Sequence, residues 1–137
     1  MQASHARLIL DDLYASWEGG DLLATLSYFA MSLVFIVHSS PNAPSLIGVG
    51  FGRDRFAQRL ELFLDQYEVE EFRRVGFRAD GDGFCSSVAY RYLHRGSGLD
   101  VEGRMRHTWR FIDDEITHFE LFTDAPRLRA FYNLTAA

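Results

Sequence analysis

The sequence contains no lysine; all 14 of its basic residues are arginine. A Schiff-base lysine and a P-loop lysine are therefore excluded. It has a single cysteine, Cys85, so no disulfide can form within the chain, and a cytoplasmic protein is the simplest expectation. No apolar run approaches the ~18 residues that a membrane span needs. Residues 1–7 have neither the charged n-region nor the apolar h-region of a signal peptide. Positive charge is in short supply. The net charge of −5 and pI near 5.4 argue against a nucleic-acid partner, which needs a basic stripe to displace phosphate counterions. Linkers, repeats and low-complexity stretches are also missing, so residues 1–137 read as one domain.

What is abundant is aromatic. Twelve Phe, six Tyr and two Trp make up 15% of the chain, within an otherwise ordinary globular composition of 47% hydrophobic and 24% charged residues. That is much ring volume for a small core.

Ser4 is a candidate N-cap, after which Ala6, Ile9, Leu10, Leu13 and Trp17 recur at helical spacing. Gly19-Gly20 stops this helix and Asp21 caps a second, short one carrying Leu22, Leu23, Leu26 and Phe29. Residues 33–38 are a β-branched apolar run and read as a buried strand. A loop through Pro41 and Pro44 runs to Gly52. Phe56, Leu60, Phe63, Leu64 and Tyr67 then form the stripe of a third helix. Past Tyr67 the period drops to about two. Strands are expected at 69–79, 84–95, 101–112 and 115–123, joined by turn chemistry at 80–83, 96–98 and Asp113-Asp114. Asp124 and Pro126 open a final helix through Leu128 and Phe131. Helices in a block before an antiparallel meander give an α+β fold, a curved sheet wrapped around helices.

A two-residue loop at Asp113-Asp114 sets a register. Ile112 faces Glu115, Phe111 faces Ile116, Trp109 faces His118, His107 faces Glu120 and Met105 faces Phe122. Side chains alternate along a strand, so Met105, His107, Trp109, Glu120 and Phe122 are expected on one inner face, joined by Phe84, Val88, Tyr90 and Tyr92. Arg104, Arg106, Arg110, Thr117, Phe119 and Leu121 are expected outside, where they suit a subunit contact. His107 and Glu120 are the polar exceptions inside, with Cβ atoms expected about 4.5–5.5 Å apart. A carboxylate there would orient the imidazole and raise its pKa, giving either a proton-transfer dyad or a buried structural pair.

The chain resembles the SnoaL-like, ketosteroid-isomerase-like branch of the nuclear transport factor 2-like superfamily. The resemblance is carried by Trp17-Glu18-Gly19-Gly20-Asp21-Leu22 with Tyr28-Phe29-Ala30, by Gly52-Arg53-Asp54, by residues 105–111, and by Phe119-Glu120-Leu121-Phe122-Thr123-Asp124. Order and spacing together are specific, while no single piece is. The resemblance implies a cone of helices and a strongly bent, mostly antiparallel sheet, a deep apolar pocket, and homodimers through the outer sheet face. Ketosteroid isomerases use a carboxylate base at the end of the first strand, where this chain has His38. Their oxyanion Tyr aligns with Leu13, one position from Tyr14. Their protonated Asp falls at His107. All three roles are altered, which argues against steroid-type isomerisation. An epoxide-hydrolase set of Asp, Arg and Asp also lacks its acid at His107.

Gly48-Val49-Gly50-Phe51-Gly52 lacks the spacing of a phosphate loop. His107, His118 and Cys85 lack metal-ligand spacing, so no metal or organic cofactor is expected. Three functions remain. The first is an enzyme acting on a hydrophobic cyclic or carbonyl compound, with His107 as acid or base oriented by Glu120. Trp17, Tyr14, Phe29, His38, Tyr90, Tyr92, Met105, Trp109 and Phe122 would shape its pocket. The second is a non-catalytic binding protein for an apolar small molecule. The third is a dimeric interaction module using the outer arginines.

Overall fold

The computed structural model describes residues 1–38 and 47–135. The expected loop through Pro41 and Pro44 lies outside the described residues. In chain order the elements are α1 (Ala3–Glu18), α2 (Leu22–Leu26), β1 (Phe29–His38), β2 (Val49–Phe51), α3 (Arg53–Gln66), β3 (Tyr67–Asp80), β4 (Gly83–His94), β5 (Asp100–Ile112), β6 (Glu115–Thr123) and α4 (Ala125–Thr135). The six strands form one sheet in the order β2-β1-β6-β5-β4-β3. Among the described residues only the β1–β6 pairing is parallel. Helices precede the meander and pack on the sheet, as the α+β reading requires. No helix among the described residues is long and apolar enough to cross a membrane.

Four boundaries differ from the expectation, one of them at Tyr67, which was expected in the third helix but is extended and opens β3. The first helix starts before Ser4, with Gln2 in the cap position and no side-chain cap bond. Phe29 is not helical but opens β1, which is longer than 33–38. Val49–Phe51, read as loop, pairs antiparallel with Val34, Phe35 and Ile36. Three residues at a sheet edge leave almost no alternation to detect.

α1 buries Ala6, Leu10, Leu13, Tyr14 and Trp17. This is the stripe that positions i, i+4, i+7, i+8 and i+11 place on one side of a helix. The flank beside this stripe is tied to β3. Arg74 donates from Nε to Asp11 Oδ1 at 2.7 Å and from a terminal nitrogen to Oδ2 at 3.2 Å. Glu18 Oε2 accepts the backbone N–H of Phe72 at 2.8 Å, satisfying a donor of the sheet edge. These links, with the buried stripe, fix the height at which Tyr14 and Trp17 enter the core.

The β5–β6 register carries the main correction. Asp113 and Asp114 do form a two-residue loop, both at positive φ, with Ile112 opposite Glu115 and Phe111 opposite Ile116. Beyond that point β6 carries a bulge. Arg110 pairs with His118, Trp109 with Phe119, Thr108 with Glu120, His107 with Leu121 and Met105 with Thr123. One extra residue reverses every later side chain of β6. Consecutive Ile116 and Thr117 are both buried, which marks the bulge. The energetics favour it. The unbulged register would leave Phe119 and Leu121 in water and put a carboxylate in the core. Burying each apolar side chain is worth about 1.5–3 kcal/mol, whereas an unpaired buried charge costs more than that.

Candidate functional site

Three elements bring the polar site together. β5 supplies His107 and Trp109, β4 supplies Ser86 directly opposite His107, and α1 supplies Tyr14. All four residues are buried, and His107 is only 2% exposed. Trp109 Nε1–H donates to Ser86 Oγ at 2.9 Å. Ser86 Oγ and the Tyr14 hydroxyl share a short hydrogen bond. The Tyr14 hydroxyl in turn lies 2.8 Å from His107 Nδ1. The other ring nitrogen, Nε2, lies 3.2 Å from Met105 Sδ.

Rings enclose the imidazole. The centroids of Trp109 and Phe119 each lie 5.2 Å from that of His107, Tyr14 lies at 5.6 Å and Phe72 at 6.0 Å. Burial in this shell pulls the His107 pKa down to about 3, so the ring is neutral at physiological pH. That reverses the sequence expectation of a raised value, because the carboxylate meant to raise it is elsewhere. Burial also pushes the Tyr14 hydroxyl above the ordinary tyrosine range, against the lowering effect of its bond to Ser86. It remains a protonated phenol.

Beside these groups is a cavity of about 60 Å³, walled by Trp17, Phe29, Tyr92, Met105, His107 and Trp109 among others. It is much smaller than the deep pocket expected, and below the ~300–1,000 Å³ that encloses a drug-sized ligand. The rings fill the interior by packing on one another. Phe29 lies 4.9 Å from Phe56, and Phe119 lies 4.7 Å from Trp109 in a stack.

Of the residues expected at the site, Tyr14, Trp17, Phe29, Tyr92, Met105, His107 and Trp109 all wall this cavity. Tyr90 is on the same inner face, with its ring 5.0 Å from Tyr92, but it does not wall the cavity. Its hydroxyl points toward Gly103, where an added Cβ would lie 3.0 Å from it.

Glu120, Phe122 and His38 do not reach the site. The bulge turns Glu120 and Phe122 to the outer face, and the alternation of β1 sends Leu33, Phe35 and Val37 inward and His38 outward. The dyad of His107 with Glu120 does not form. Glu120 Oε1 meets His38 Nε2 at 2.5 Å instead. His38 also stacks on Phe122 at 4.4 Å, and the Arg106 guanidinium lies 4.7 Å from the same ring centre. Val34, Ile36, Thr108, Arg110, His118 and Glu120 line an outer hollow of about 410 Å³.

Ser86 is the polar site residue that the sequence reading passed over; that reading also missed Phe72 and set Phe119 on the outer face, though both wall the cavity. The signal for Ser86 was its parity, since it lies on the same face of β4 as Phe84 and Val88. Among the described residues no three His, Cys, Asp or Glu side chains converge on a point that could hold a metal ion.

The sequence matches no family model and no curated protein. Solved structures match it over nearly its whole length. An NTF2-like protein of unknown function from Burkholderia pseudomallei superposes with a TM-score of 0.80 at 17% identity, covering 100% of both chains. A protein from Catenulispora acidiphila with a ketosteroid isomerase-like fold, in complex with trimethylamine, gives 0.74 at 16% identity over 88% of each chain. TerC, co-crystallised with polyporic acid, gives 0.73 at 17% identity over 97% of this chain and 99% of its own. The chain therefore has the nuclear transport factor 2-like fold, shared with SnoaL-like and ketosteroid-isomerase-like structures.

Proposed function

We propose that the protein takes a small hydrophobic carbonyl compound, cyclic or open, into its aromatic cavity and acts on it by acid/base chemistry from its own side chains. One observation carries this reading: a buried, neutral imidazole stands on the wall of an otherwise aromatic cavity. A plain core would fill that position with an apolar group, because a buried polar ring needs partners to offset its desolvation. A neutral imidazole can polarise a carbonyl oxygen without introducing a charge. Chains that share the fold hold small organic molecules, trimethylamine in one and polyporic acid in another, which supports a small-molecule occupant. The cavity of about 60 Å³ favours a compact ligand, or one that displaces the flexible Met105 side chain.

The test is to titrate small cyclic ketones against the intrinsic fluorescence of Trp17 and Trp109, then analyse each ketone by mass spectrometry after incubation. Saturable binding with conversion, lost in His107→Gln, is the expected result. Binding with the ketone recovered unchanged would support the non-catalytic binding reading instead. No saturable binding to any member of the series would overturn both.

A second role rests on the outer face. Met31, Val49 and Phe51 are exposed large apolar side chains on β1 and β2, and Phe51 and Val49 pair with Val34 and Ile36, which line the hollow of about 410 Å³. We assign this face to a contact with a second copy of the chain. Light scattering on the eluting protein should give a dimer mass, and Phe51→Arg should convert it to the monomer. A monomeric wild-type protein would remove this role.

A further inference from the structure

We infer that His107 is held as a single tautomer, with its proton on Nε2, by a hydrogen-bond chain whose direction is set at both ends. The first end is Trp109. An indole nitrogen can only donate, so Ser86 Oγ must accept from it at 2.9 Å. Ser86 has one hydrogen, and among the described residues the acceptor within reach of it is the Tyr14 oxygen. Ser86 therefore donates to Tyr14, and Tyr14 donates its own hydrogen to His107 Nδ1 at 2.8 Å. Nδ1 is left bare, and the proton of the neutral ring sits on Nε2.

The second end gives the same answer independently. A thioether carries no hydrogen and can only accept, so the 3.2 Å contact of Nε2 with Met105 Sδ needs a hydrogen on Nε2. Reversing the chain would leave the buried Ser86 hydrogen facing no acceptor, since its oxygen would then accept from both Trp109 and Tyr14, and would set two lone pairs against each other at Met105.

The consequence is a one-sided site. His107 offers its cavity an N–H and no lone pair, so in the proposed acid/base chemistry it takes the acid's part and donates to an acceptor. Thioether sulfur is a weak acceptor on a flexible stem, and Met105 acts as a placeholder that a ligand oxygen displaces. The matching ligand class is a carbonyl or carboxylate oxygen, not an ammonium group. Ser86, Trp109 and Met105 are positioning residues. The ligand class rests on the small-molecule reading above; the tautomer does not.

The test uses the free protein. Long-range ¹H–¹⁵N correlation spectra of uniformly labelled protein at pH 7 report which ring nitrogen carries hydrogen. The His107 signals are assigned by their loss in His107→Gln. The expected result is one set of His107 signals with Nε2 protonated and Nδ1 bare. Trp109→Phe combined with Met105→Leu removes both directing ends while keeping apolar bulk. It should raise the Nδ1–H form by about tenfold, the worth of roughly one hydrogen bond, with the His94 ring unmoved. A bare Nε2 or averaged signals in the wild-type protein would overturn the inference. So would an unchanged tautomer ratio in a folded double variant. If that variant does not fold, the wild-type spectrum still decides. Ketone titrations that show no binding would remove the functional proposal and leave the tautomer standing.

Discussion

Acidification should destabilise this protein through His107 in a way that can be isolated. The ordinary histidine pKa of 6.5 applies to the unfolded chain, and burial lowers it to about 3 in the fold. Between those values the unfolded state binds a proton that the native state refuses. Stability from this group is therefore complete above the unfolded pKa and falls as pH drops toward the folded one. Going from pH 7 to pH 5 should cost about 2 kcal/mol from this single ring, since each unit of unmatched titration is worth about 1.4 kcal/mol. That is a sizeable part of the ~5–15 kcal/mol typical of a domain. Carboxylates also contribute to any pH dependence, so the measurement is a difference. Urea unfolding, followed by tryptophan fluorescence, is run at pH 7 and pH 5 on wild type and His107→Gln. The wild-type protein should lose about 2 kcal/mol more than the variant over this interval. Equal losses would mean that His107 titrates normally in the native state. The imidazole would then not be buried and neutral, and the function proposed for it would fall.

Three further outcomes follow from the same geometry. Tyr14→Phe removes the middle of the hydrogen-bond chain and strands His107 Nδ1 and the Ser86 hydroxyl, at a cost of about 1–3 kcal/mol in urea unfolding; an unchanged midpoint would contradict the network. Glu120→Gln should cost less than about 1 kcal/mol and leave the His107 ring signals in place, because its partner His38 is on the outer face. Movement of those signals would restore the unbulged register. At Gly83 an added Cβ would lie 2.2 Å from the Trp109 backbone oxygen, which cannot rotate away. Gly83→Ala should therefore lower stability by at least ~2 kcal/mol in thermal melting, or prevent folding.

Much of the architecture was legible because burial is written in periodicity. The α1 stripe, the third helix and the change to a period near two after Tyr67 each follow from which side of an element faces water. The Asp113-Asp114 turn was legible for a similar reason, since Asp tolerates the positive φ that a two-residue hairpin needs. Strand alternation also identified Met105, His107 and Trp109 as neighbours on one face.

The bulge in β6 was not legible by alternation alone, and it reversed the site. Its trace was present in Phe119 and Leu121, two large apolar residues assigned to an outer face among arginines. A local pattern cannot weigh that misfit against an intact ladder, because the bulge is stabilised by side chains on other elements. Phe119 packs against Phe29 and Phe56, from β1 and α3. Ser86 stayed hidden for the same reason. A serine in a strand is unremarkable until the fold sets it between the indole of Trp109 and the phenol of Tyr14, which reaches it from 72 residues away.

By itself, then, the sequence determined the order of the elements, the lack of lysine chemistry and the presence of an aromatic interior with histidine in it. These depend on composition and short-range period. Tertiary structure decided the rest. It gave His107 a phenol and a thioether instead of a carboxylate, and it paired Glu120 with His38 on the opposite face. It also closed the rings into a cavity of about 60 Å³. Each of those outcomes depends on contacts between residues distant in the chain, where one inserted residue in one strand selects which side chains meet.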